Sequence, residues 1–181
     1  MLKKILPSIG LIALIIVSRL IPHPANFAAV TGATLAGALY GQSRYRWLIP
    51  MLGMFFSDLI IGFYHPAIMV SVYGSFIAIY CIGLMLRKEK TILNGFAAAL
   101  ASSIIFFVIT NGSVWLFGSL YPHTVSGLGS AYVLAIPFFK STVAGDLFYF
   151  ALCASVFEVV RIVSYRSHRA VPALKITKVL Y

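Results

Sequence analysis

The chain has 181 residues, of which 61% are hydrophobic and 10% charged, with a mean hydropathy of +0.97 and a formal net charge of +10. A soluble domain carries about 25% charged residues, so these proportions exclude a chain that covers a globular surface with its own charges. The Lys and Arg residues stand mostly in short clusters at the ends of apolar blocks, a membrane pattern rather than a nucleic-acid one.

The apolar blocks predict an all-α integral membrane protein of six transmembrane helices, each near the length that crosses a hydrocarbon layer about 30 Å thick. The first covers residues 5–21, after Lys3 and Lys4. It reads as a helix rather than a signal peptide, because the run is long and the Ser-Arg-Leu-Ile-Pro-His-Pro after it is a poor cleavage region. The second, 27–41, is short and rich in Ala and Gly. The third, fourth and fifth cover 47–63, 67–86 and 92–110. A mixed stretch follows, and within it the segment 125–139 is apolar but too short to span, so it is predicted to be re-entrant or interfacial. The sixth helix is predicted over 141–163, closing a transmembrane domain of residues 1–164, with a basic tail over 165–181.

The charges orient this arrangement. Lys3 and Lys4, Arg44 and Arg46, then Arg87, Lys88 and Lys90 flank alternate helix ends, and Arg161 to Lys178 follow the last helix. With six helices they fall on one side, leaving Arg19 and Lys140 on the other, so both termini are predicted to be cytoplasmic.

At the opposite, outer end the sequence gathers its unexplained polar residues: Arg19, His23, Asn26, Asp58, Tyr73, Asn111, Trp115, Lys140, Asp146 and Tyr149. Ionisable groups in a membrane are costly unless paired or hydrated. Two readings stay open. Asp58 with Arg19 and Asp146 with Lys140 are internal pairs that pin loops, or the group lines a small-molecule pocket, where polar side chains stand among aromatic walls. Glu158 is accounted for by an i, i+3 pair with Arg161.

In the second helix Ala29, Ala33 and Gly37 show small-xxx-small spacing, which suits close helix packing within the bundle or docking of another membrane subunit. Cys81 and Cys153 lie inside apolar blocks without metal-ligand or disulfide spacing. HExxH, GxSxG, GxGxxG and P-loop patterns are missing, and Asn111-Gly112-Ser113 is a weak sequon. No enzymatic activity, cofactor, metal or nucleic-acid partner is expected.

The outer-end motifs form an ordered set: Arg19-x-x-Pro22-His23-Pro24-x-Asn26-Phe27, Ser57-Asp58-x-x-x-Gly62, Thr110-Asn111-x-x-Val114-Trp115, Tyr121-Pro122-x-Thr124, Ala135-Ile136-Pro137-Phe138-Phe139-Lys140-x-Thr142 and Gly145-Asp146-Leu147. With them the sequence resembles a bacterial membrane family related to the S components of energy-coupling factor vitamin transporters, with distant similarity to a solitary cobalamin transporter. The resemblance covers residues 19–149. It implies an S-component-like six-helix bundle in the bacterial inner membrane that captures a vitamin or similar micronutrient at its outer face. It also implies a coupling subunit and ATPases as partners, with Ala29, Ala33 and Gly37 as the docking face. The cobalamin branch uses a cysteine beside its ligand, a place that neither Cys81 nor Cys153 occupies. The alternative expectation is a structural or assembly membrane protein recruiting partners through its small-residue helix.

Overall fold

The computed structural model describes residues 2–89 and 91–177, with side chains described for 6–89 and 91–163. Among the described residues the chain is all-helical: α1 (Leu2–Leu20), α2 (Val30–Tyr40), α3 (Leu48–Ile61), α4 (Pro66–Met85), α5 (Ile92–Phe117) and α6 (Val125–Thr177), with a 3-10 turn at Leu86–Glu89. Three helices are long and apolar enough to cross a membrane: Pro66–Glu89, Ile92–Phe117 and Val125–Val163. Their outward faces carry large apolar side chains such as Val70, Ile77, Leu93, Leu100, Val133, Leu134 and Val159. A soluble monomer rarely exposes apolar patches beyond a few hundred Å²; this is the build of a membrane protein.

The segment 125–139 forms the opening turns of α6 and is not a separate re-entrant piece. Pro137 lies inside that helix and removes one backbone donor, which membrane helices tolerate where neighbours satisfy the freed carbonyl. α5 likewise continues past residue 110 to Phe117. The basic tail over 165–181 lies outside the residues whose side chains are described.

The bundle is built around α2. Every residue from Val30 to Leu39 is buried, and α2 packs against α1, α3, α4, α5 and α6. A helix enclosed on all sides needs small side chains wherever a neighbour's backbone comes close. Gly32 meets α6 at Phe150, Gly37 meets Ile49 and Leu11, and Gly83 of α4 meets Ala38 and Leu35. Around these contacts lies the core of Ile15, Leu35, Leu39, Ile49, Phe76, Ile79 and Phe150.

This packing corrects the docking-face expectation. Ala29 and Ala33 are fully buried, and Gly37 is buried beside them, so the small-residue stripe is spent inside the bundle. At the basic end, the Arg46 and Arg87 guanidiniums both donate to the Gly41 carbonyl, at 3.0 and 2.8 Å. Two cations thus sit at the C-terminus of α2, where the helix dipole favours positive charge.

Candidate functional site

At the other end of the bundle, α1 and α3 finish, α2 and α4 begin, and the last turns of α5 face α6. Arg19, in the last turn of α1, reaches across to α3. Its guanidinium is 2.7 Å from the Asp58 carboxylate and donates to the Ser57 hydroxyl at 2.5 Å and the Met54 carbonyl at 3.3 Å. Tyr73 of α4 donates its phenol to the same carboxylate at 2.9 Å. Asp58 is fully buried. Three helices are therefore joined through one carboxylate, and the internal pairing predicted for Asp58 and Arg19 is present.

The second predicted pair is not. Asp146 and Lys140 are six residues apart on one continuous helix, and at about 100° per residue they face directions about 120° apart. Lys140 is exposed, whereas Asp146 is buried and accepts a hydrogen bond from the Ser103 hydroxyl of α5 at 2.7 Å. The Thr31 side chain of α2 reaches the same carboxylate. Lys140→Ala is accordingly expected to leave stability within about 0.5 kcal/mol of the unaltered chain, read as an unchanged melting temperature in detergent.

Between these two carboxylate centres the helices enclose a cleft with two lobes. One, of about 200 Å³, is lined by Arg19, Thr31, Met54, Tyr64, Phe76 and Asp146 among others. The second, of about 240 Å³, is lined by Ile68, Phe107, Asn111, Val114, Phe138 and Phe139 among others. Asn26, Val72, Phe106 and Thr142 line both and mark where the lobes adjoin. Together the lobes reach the lower part of the roughly 300–1,000 Å³ range of small-molecule sites.

Helical spacing explains the lining. On α6, Ala135, Phe138, Phe139, Thr142 and Asp146 recur every three or four residues and form one stripe. On α5, Phe106, Phe107, Thr110, Asn111 and Val114 do the same. The Asn111 amide donates to the Phe107 carbonyl at 2.8 Å, which leaves its oxygen available to the cleft.

Asn26 stands at the rim with φ 63°, the left-handed conformation that asparagine adopts more readily than most residues. Tyr64, in the connection between α3 and α4, is held as a neutral phenol. Burial pushes it up to about 12, with Asp58 adding to the shift and Arg19 opposing it.

Of the ten residues expected to bind substrate, Arg19, Asn26, Asn111 and Asp146 line the cleft. Asp58 and Tyr73 do not; they hold Arg19 from behind. His23 bonds the Pro24 carbonyl at 2.7 Å, Trp115 donates to the Pro122 carbonyl at 3.0 Å, and Tyr149 packs on Phe27 and Phe148. These three, with Lys140, lie outside the cleft lining.

Sequence reasoning missed Thr31, Thr142, Phe106 and Ser103. The signal was present for Thr142, which stands four residues before Asp146 within the predicted sixth helix and so shares its face.

The model of a protein family described as a family of unknown function (DUF6580) matches residues 2–173 of the chain. No curated protein and no solved structure matches it.

Proposed function

This chain belongs to the DUF6580 family, and from the cleft its helices enclose we propose that it is a substrate-binding membrane subunit for uptake of a vitamin or similar micronutrient. The observation that carries the reading is the two-lobed cleft, with polar groups at both ends and aromatic faces between them. Small-molecule sites combine apolar walls with a few placed polar groups in this way.

In this reading the chain crosses the bacterial cytoplasmic membrane six times, with both termini inside. The clustering of Arg44, Arg46, Arg87 and Lys88 at the end of the bundle away from the cleft supports that orientation. The cleft then opens at the outer face, as in the S components of energy-coupling factor transporters that the sequence resembles. A membrane coupling subunit with ATPases would supply the energy, and the chain itself carries out no covalent chemistry.

Native mass spectrometry of the detergent-purified chain tests the proposal. A co-purified vitamin-sized compound is expected, and Thr142→Phe, which fills the junction of the lobes, is expected to lower its retention about tenfold or more. Full retention in a folded Thr142→Phe chain would place the compound elsewhere and sink the cleft as its site.

The assembly alternative has one observation in its favour. An apolar groove of about 700 Å³ runs between α1 and α6, lined by Leu6, Gly10, Leu14, Leu152, Val156 and Val160. That reading expects an empty chain that retains a membrane partner under the same conditions.

A further inference from the structure

The charges around the cleft do not cancel. Among the described residues that line the cleft Arg19 is the one cation, and its charge is already taken by Asp58 at 2.7 Å. Asp146 lines the same lobe, is 2% exposed, and has only hydroxyl partners, Ser103 at 2.7 Å and Thr31. Among the described residues no Lys, Arg or His forms an ion pair with it. A carboxylate in apolar surroundings is costly without a counter-charge, and hydroxyls only partly offset that cost. The ionised carboxylate thus lacks a counter-charge in this lobe, and a cation that enters would supply it.

The walls suit the same kind of guest. Phe76 and Phe106 stack at 5.3 Å between ring centroids and both line the Asp146 lobe. Aromatic faces attract cations, most strongly where water is excluded. The rest of the polar lining, Asn26, Thr31, Thr142 and the Tyr64 phenol, consists of neutral groups that leave the sign of the site unchanged. Beyond the junction, the second lobe presents Asn111 among Phe107, Phe138 and Phe139, a place for an uncharged, flat remainder.

We propose that the molecule taken by this cleft carries a protonated or quaternary nitrogen, which pairs with Asp146 beside the stacked Phe76 and Phe106 rings. This assignment rests on the uptake reading above and narrows its substrate class to organic cations. Asp146 contacts the cation, Ser103 and Thr31 hold the carboxylate in place, and the Arg19–Asp58 pair is a spectator in charge.

The test is titration of the full chain in lipid nanodiscs with three cationic probes, thiamine, pyridoxamine and choline. Pyridoxine and 3,3-dimethylbutanol serve as neutral counterparts of the last two, and biotin and pantothenate as anions. Binding of at least one cation is expected, weakened roughly 30-fold or more in Asp146→Asn. Should that variant not fold, the unaltered chain still decides, because a cation held no more tightly than its neutral counterpart or than the anions overturns the assignment. So does cation binding that a folded Asp146→Asn leaves unchanged. If an anion or neutral compound binds in place of every cation, the uptake reading stands and the cation assignment fails. A chain that binds none of the probes and yields no co-purified compound overturns both.

Discussion

Leucine at Gly32 is expected to leave the chain unable to fold. A Cβ at this position would lie 2.6 Å from the Phe150 backbone nitrogen and 2.9 Å from the Tyr149 carbonyl carbon. The obstacle is backbone, which cannot swing aside as a flexible side-chain end can, so α2 and α6 would have to separate. Overpacking in a close-packed interior typically costs 1–3 kcal/mol, and here the cost is expected to exceed about 3 kcal/mol because both helices must move along their contact. Size-exclusion chromatography of a fluorescent fusion reads the outcome as loss of the monodisperse peak. Gly74→Leu is the control, since nothing stands within 4 Å of its Cβ position and that face of α4 is exposed. Equal behaviour of the two variants would remove close helix approach as the explanation of Gly32.

Alanine at Asp58 is expected to destabilise the fold by about 3–5 kcal/mol, the usual effect of removing one partner of a buried ion pair. Arg19 would keep its bonds to Ser57 and the Met54 carbonyl but lose its counter-charge, and the Tyr73 phenol would lose its acceptor. Arg19→Ala should cost a similar amount for the mirror reason. The double variant Arg19→Met with Asp58→Leu separates charge from packing, because replacing a buried pair by apolar side chains of similar volume is often neutral. It is expected to recover most of the loss, measured as thermal denaturation in detergent. If Asp58→Ala instead melts like the unaltered chain while releasing its ligand, Asp58 is a ligand contact and the pairing seen here is incidental.

Much of this architecture was legible in the sequence, and the errors share a cause. Apolar blocks located α1, α3, α4 and the start of α5 closely, because block length is set by the same hydrocarbon thickness that sets helix length. The Arg19–Asp58 pair was legible from depth, as both charges fall near the same end of their helices.

The 125–139 segment was misread because Pro137 and its glycines are breakers in an isolated helix. Packing against α5 carries the helix through them. That single misplaced boundary detached Ala135, Phe138 and Phe139 from Thr142 and Asp146, and with them the stripe that lines the cleft. Lys140 and Tyr149 were grouped with Asp146 by nearness in sequence, whereas helical phase turns Lys140 outward and packs Tyr149 against Phe27. The small-residue stripe of α2 suited both packing within the bundle and docking, and the bundle takes it. Which surface it met depended on α2 being central, and that is a property of topology.

That central position also governs the order in which the protein can be made. α2 leaves the ribosome before α3, α4, α5 and α6, yet it presents no apolar face to lipid. At 11 residues it is about 16 Å long, roughly half the hydrocarbon thickness. Among the described helices it packs most extensively with α6, which starts at Val125 and follows the other five in the chain. Until then α2 is an immature piece, too short and too small-sided to hold a position in the bilayer by itself. Its neighbours α1 and α3 must hold it in the interval, and it is enclosed only when α6 closes over it. Chains stopped before residue 125 thus leave the Gly32 face without the α6 backbone that covers it in the folded bundle.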